Sequence, residues 1–219
     1  MLATVIIPTL DEEERIAATV DAAFAAGASE VIVADGGSSD ATVARAEQHG
    51  AKVITGERMR ATQLNAGARA ASHEIVIFLH ADTLLPRGAV AAVAEALQHA
   101  EFGGFRVEFL ERTPGLLWTA FAINTRTRFS KTPWGDQAQF TTRETFLREG
   151  GYPEFPLMED YAFAVRMKKR SVLLPLKVRT SGRRFLKKGL VWTTVLNWLI
   201  IVAYRFGVSP ERLASWYRR

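Results

Sequence analysis

The sequence predicts an α/β fold, a mostly parallel central sheet flanked by helices, and three observations carry that prediction. Short apolar runs rich in β-branched residues recur at 3–7, 30–35, 53–54 and 75–79, the composition of strands buried on both faces. Helix-compatible stretches separate them, and this alternation through the first hundred residues marks parallel strands joined by right-handed crossovers. Two of the runs end in an acid, at Asp35 and Asp82. In parallel sheets the crevice beyond the carboxyl ends of the strands is where ligands bind.

Taken in order, 3–7 is a first strand that Pro8-Thr9-Leu10 ends. Asp11 is placed to cap a helix over 12–26, whose first turn would hold three acids where the helix dipole favours them. The strand ending at Asp35 leads through Gly36-Gly37-Ser38-Ser39 to a helix capped by Asp40. A short third strand at 53–54, a helix over 61–71, a fourth strand over 75–79 and a helix over 88–99 complete the regular half. Beyond residue 100 the alternation dissolves into a strand at 102–109, a helix at 114–129 and a strand at 137–142. A Gly150-Gly151-Tyr152-Pro153 turn, a helix at 160–169 and a strand at 172–178 follow. No repeat or low-complexity linker divides the chain. It reads as one domain over 1–219, with a nucleotide-binding half at 1–100, a substrate-shaping half at 101–185 and a helical segment at 186–219.

The 219 residues, 48% of them hydrophobic, suffice for one full core. The absence of Cys excludes disulfides, thiolate metal sites and Cys nucleophiles, and fits a reducing, cytoplasmic setting. The N-terminus has no basic stretch before its apolar run and reads as a strand rather than a signal peptide. From Lys168 to Arg219 there are thirteen Lys or Arg residues against one acid, Glu211. Such a charge balance suits phosphorylated or other anionic partners as well as plain solvation.

The first strand–helix loop excludes several chemistries. It contains no G-x-G-x-x-G, and Pro8-Thr9-Leu10-Asp11-Glu12-Glu13-Glu14 would repel a pyrophosphate, which argues against NAD, FAD and a Walker loop. Carboxylates on one sheet edge can instead accept hydrogen bonds from a base and ribose and can hold a cation. Each alone is more often a cap or turn former. Their recurrence at the ligand-binding edge is the informative part.

Five stretches in order, Val5–Glu13, Val31–Thr42, Phe78–Thr83, Gly150–Pro153 and Met158–Asp160, together resemble the motifs of family 2 glycosyltransferases. The resemblance spans roughly residues 3–170 and is most similar to a compact bacterial subgroup carrying His-Ala-Asp where others have D-x-D. It implies the GT-A fold, a Rossmann-like nucleotide-diphospho-sugar transferase architecture. It also implies an inverting, hexosyltransferase-type enzyme that moves a sugar from a nucleotide-diphosphate donor, typically UDP-linked, to an acceptor hydroxyl.

Carried over by residue, the resemblance implies that Pro8, Thr9, Leu10 and Glu12 line the nucleoside pocket and Asp35 binds the base. Asp82 would hold Mg²⁺ or Mn²⁺ on the diphosphate. Arg60 and Asn65 would contact the nucleotide, although a surface Arg and a helix cap are equally ordinary roles. Asp160 would be the catalytic base, with Glu159 its supporting partner. His80 stands where the pattern has its first acid; a neutral imidazole brings no negative charge, so a ribose contact suits it better than metal ligation. Arg183 and Arg184 would clamp diphosphate or form a basic surface strand, and Trp134-Gly135-Asp136-Gln137 would line the acceptor pocket or form a turn.

The apolar run 189–204, flanked by Lys187, Lys188 and Arg205, is shorter than the ~20 apolar residues of a membrane span. It suits a peripheral membrane contact over 187–205, a core helix or a homodimer helix. No nucleic-acid partner is expected. Two other readings stay open: a sugar-nucleotide-binding or membrane-associated module with weak catalysis, and a nucleotidyltransferase. The second would want a Gly-rich, basic first loop.

Overall fold

The computed structural model describes residues 2–218. An eight-stranded sheet runs in the order β3-β2-β1-β4-β7-β6-β8-β5. Its first four strands, β1 (Ala3–Thr9), β2 (Glu30–Asp35), β3 (Lys52–Thr55) and β4 (Ile75–Phe78), are mutually parallel. The antiparallel strand β7 (Phe140–Thr142) joins β4 to β6 (Phe102–Phe109). Beyond it β6 pairs parallel with β8 (Ser171–Thr180), and β5 (Thr83–Leu84) closes the edge antiparallel to β8.

Strand periodicity explains the two-sided core. Ala3, Val5 and Ile7, with Val31, Val33, Ile75 and Ile77, pack on one face against α1 (Ile16–Ala25), α2 (Thr42–Gln48) and α4 (Ala89–Ala96). Their neighbours Ile6, Ile32, Val76 and Phe78 point the other way, against α3 (Arg60–Ala70), α6 (Arg143–Arg148) and α7 (Glu159–Met167). The close approach of α3 depends on Gly67, where an added Cβ would sit 2.3 Å from Ile6 Cγ2. The rest of the chain forms α5 (Pro114–Ser130), α8 (Arg183–Lys188), α9 (Leu190–Arg205) and α10 (Pro210–Arg218).

The first helix starts four residues later than its acids suggest. Asp11 has φ +52° and accepts from Ser39 N at 2.8 Å, while Glu13 accepts from Ala41 N at 3.1 Å. Glu12 N donates to Thr42 Oγ1 at 2.8 Å. These acids fasten the loop after β2 instead of capping α1. The run 189–204 is helical, and its inner face, Leu196, Ile200 and Ile201, packs with Met158, Tyr161 and Leu213. Among the described residues no helix is long and apolar enough to cross a membrane.

Candidate active site

The register of the parallel strands brings the chemistry to one edge. Thr9 pairs with Asp35 and Ile6 with Phe78, so the loops carrying Glu12, Gly36 and His80 all leave the sheet in the same direction. Beside them a cavity of about 570 Å³ opens between that edge, α5 and α9. Its polar lining includes Arg60, His80, Asp82, Asp136, Asp160 and Arg183.

At one side of this cavity the two-residue strand β5 pairs Thr83 with Thr180, and Ser181 N donates to the Asp82 carbonyl at 3.2 Å. The chain then turns into α8 with Arg183 3.4 Å from the Asp82 carboxylate and 2.5 Å from Glu12. Burial pushes the Asp82 carboxyl up from its ordinary value, and Arg183 partly offsets that. Glu12 thus serves as an anchor for Arg183. Arg183 and Arg184 open the helix α8 and do not form a strand.

On the other side, α7 begins after Met158, which is held at φ +74°, a costly conformation for a side chain of this size. That turn directs Glu159 and Asp160 to different duties. Glu159, 1% exposed, is ion-paired with Arg60, whose side chain stays 38% exposed. Asp160 Oδ2 accepts from Gly135 N at 2.6 Å and Oδ1 from Tyr161 N at 2.7 Å. Each carboxylate oxygen keeps lone-pair capacity for a further donor. A Cβ at Gly135 would lie 2.8 Å from His80 Nε2 and 2.9 Å from Asp160 Oδ2, so only glycine admits this approach. Burial, then Arg60 3.5 Å away, push the His80 imidazole down to about 4, which keeps it neutral at neutral pH.

The loop after α5 completes the floor. Arg126 stacks 3.4 Å above the Trp134 ring, and burial pulls its guanidinium down to about 10. Its Nε and the Oδ1 of Asp136 are buried without hydrogen-bond partners. Burial raises Asp136 to about 6 despite the attraction of Arg126. Arg184 stacks 3.6 Å above Tyr217, and burial lowers it to about 10 as well.

The residues expected from sequence do not all meet here. Pro8, Thr9 and Leu10 sit at the end of β1, and Asp35 lies buried beside them. The Asp35 carboxylate already accepts from Thr9 Oγ1, Ser38 Oγ, Gly37 N and Ser38 N. It shapes its loop, and a base N–H would replace one of these donors. Asn65 lies outside the cavity lining: its side chain is buried, accepting from Tyr152 N at 3.0 Å and donating to Tyr152 O at 2.8 Å. It clips the Gly150–Tyr152 turn to α3.

Sequence reasoning missed Arg126 and two buried glutamines. Gln63 donates to Thr9 O and Ala34 O, tying the ends of β1 and β2 together. Gln139 donates to Asp160 O and accepts from Tyr152 Oη, which fixes the backbone of the candidate base. An Arg amid the apolar pattern of 114–129 was the available signal for Arg126; glutamines in strand-like or helical stretches give none.

For a divalent ion the donor set is sparse. Among the described residues no three His, Asp or Glu side chains converge on one point. A lone accessible carboxylate, Asp82, still fits Mg²⁺ or Mn²⁺, which bind through one or two carboxylates together with substrate phosphates and water. His80 faces Arg60 and Asp160.

A family model described as glycosyl transferase family 2 matches residues 4–152. Among solved structures, S. aureus TarS 1–349 in complex with UDP is similar at TM-score 0.66 and 18% identity, over 83% of this chain and 60% of that one. Glucosyl-3-phosphoglycerate synthase from Mycobacterium tuberculosis, in complex with Mn²⁺, UDP and glucosyl-3-phosphoglycerate, is similar at TM-score 0.64 and 19% identity, over 94% and 80%. This chain therefore spans less than two thirds of the TarS chain, and at these identities the likeness establishes the fold. No curated protein matches the sequence.

Proposed function

The chain belongs to glycosyl transferase family 2; on that premise we propose that it is a glycosyltransferase that moves a sugar from a UDP-sugar to an acceptor hydroxyl with inversion, using Asp160 as general base. The observation that carries this reading is that Asp160, Asp82 and Arg60 line one cavity at the carboxyl edge of the sheet. UDP in the solved relatives supports the donor class.

In this reading the nucleoside lies over the end of β1, against Thr9, Leu10 and the Asp35 loop, and its diphosphate reaches Asp82. A divalent ion held there by Asp82 and phosphate oxygens would neutralise charge on the leaving group. Arg183, already turned toward Asp82, and Arg184 add fixed positive charge beside the diphosphate. His80, neutral and wedged beside Asp160, donates or accepts a hydrogen bond without adding charge.

The acceptor hydroxyl enters between Asp160 and the donor's anomeric carbon. Its oxygen forms the new bond to that carbon as the carbon–diphosphate bond breaks, and its proton passes to Asp160. Gly135 N and Tyr161 N hold the carboxylate in place, and Gln139 holds its backbone. Glu159 is a positioning residue, since burial and its pairing with Arg60 leave it unavailable as the base. A panel of UDP-sugars, screened by thermal shift with and without Mn²⁺ and then by donor hydrolysis, tests the reading. A true donor stabilises by ~2.7 kcal/mol at a hundredfold excess over its Kd.

A further inference from the structure

Two helices carry apolar side chains on the outside of the molecule. Val191, Trp192, Val195, Trp198 and Leu199 on α9, with Phe206 at its C-terminal cap, are exposed and fall within an arc of about 120°, opposite the buried Thr193 and Ile200. On α5, Leu117, Trp118, Phe121 and Phe129 are exposed in the same manner, Phe129 at 80%. The helices are neighbours: a Cβ at Gly115 would meet Leu190 Cδ2 at 3.0 Å. The exposed Trp118, Val191 and Trp198 also frame the mouth of the cavity that holds Asp160. Contiguous exposed apolar surface of this kind marks a partner.

We propose that this α5–α9 face seats on an anionic lipid surface, with the cavity mouth turned toward it. Charge selects that occupant. Neither α5 nor α9 contains an Asp or Glu, while Arg128 near the end of α5, Lys131 just after it, Lys187 and Lys188 just before α9 and Arg205 at its end are exposed. A second copy of the chain would set these cations against their own kind; anionic head groups complement them. The side-chain types agree, with tryptophans suited to the head-group layer and aliphatic residues to the acyl boundary. The inner face of α9 is already covered by Met158, Tyr161 and Leu213, so docking asks nothing of the core.

The test is co-sedimentation of the full chain with phosphatidylcholine vesicles, with and without phosphatidylglycerol, alongside Trp quenching by brominated lipid. Binding at least about tenfold stronger to the anionic vesicles is expected, falling steeply with salt. Trp192→Glu and Phe206→Glu, both outside the cavity lining, should abolish it while UDP-sugar hydrolysis and melting stay unchanged. Binding equal on both vesicle types, absent from both, or indifferent to these substitutions overturns the proposal. So does concentration-dependent dimerisation that the same substitutions remove. UDP-sugar binding without vesicle binding would defeat the docking proposal alone, and vesicle binding without UDP-sugar binding would defeat only the donor reading.

Discussion

Arg60 at the start of α3 and Glu159 at the start of α7, 99 residues apart, form an ion pair beneath the candidate active-site cavity, which Arg60 lines. The pair joins α3 to α7 and leaves part of the Arg60 side chain open to the cavity. Glu159→Gln would leave that cation without its counterion, so both melting temperature and transfer rate should fall. A double-mutant cycle with Arg60→Met should give a coupling energy of about 1–3 kcal/mol in chemical denaturation. Additive effects would mean that the pair is incidental.

Asp82 and His80 are separated by one residue, and the proposed function gives them different roles. Asp82→Asn should remove the divalent-ion dependence of UDP binding with little change in melting, because among the described residues the carboxylate's one ion pair is with Arg183, at 3.4 Å. His80→Ala should retain it. Calorimetric titration of UDP with and without Mn²⁺ checks this, and the opposite pattern would move the ion to His80.

Asn65 offers a contrast between fold and chemistry. Asn65→Ala would strand the buried N–H and carbonyl of Tyr152, a loss of about 1–3 kcal/mol for each unsatisfied group. Donor affinity of the folded fraction should stay the same. A direct loss of UDP affinity at unchanged stability would restore Asn65 to the nucleotide site.

The pH dependence of stability has a signed expectation at Asp136. Its folded value of about 6 lies above the unfolded ~3.9, so its contribution is complete at low pH and is lost as pH rises through 6. His80 works oppositely: held near 4, below its unfolded ~6.5, it contributes above that value and loses it as pH falls toward 4. Comparing Asp136→Asn with the parent isolates one group. The variant's melting temperature relative to the parent should be highest near pH 8 and decline toward pH 5. A difference independent of pH would contradict the burial of this carboxyl.

The strands of the first half were legible because both of their faces are buried, which forces β-branched runs that end abruptly at the ligand edge. The start of α1 was not, since Asp11, Glu12 and Glu13 bond to residues 38–42, a pairing made only once β1 and β2 align. The antiparallel insertion of β7 was illegible for the same reason: three residues, Phe140–Thr142, carry no directional signal. The acid motifs pointed to Asp82 and Asp160 and the Trp134–Gln137 segment to Asp136, all of which line the cavity, whereas Arg126 joins them only through the packing of α5 and its following loop. The run 189–204 showed its apolarity in sequence, and only the fold separates its buried face from its exposed one.

The central claim, that Asp160 removes the acceptor proton, is tested most directly by the single-turnover transfer rate of Asp160→Asn with the identified donor and acceptor. Asparagine keeps an oxygen to accept from Gly135 N and lacks the basicity. The account predicts a folded variant with a modestly lower melting temperature, since the amide nitrogen cannot accept from Tyr161 N, retained UDP-sugar binding and a rate lower by ~10²–10⁴-fold. Transfer at the parental rate by a folded, donor-binding variant would contradict it.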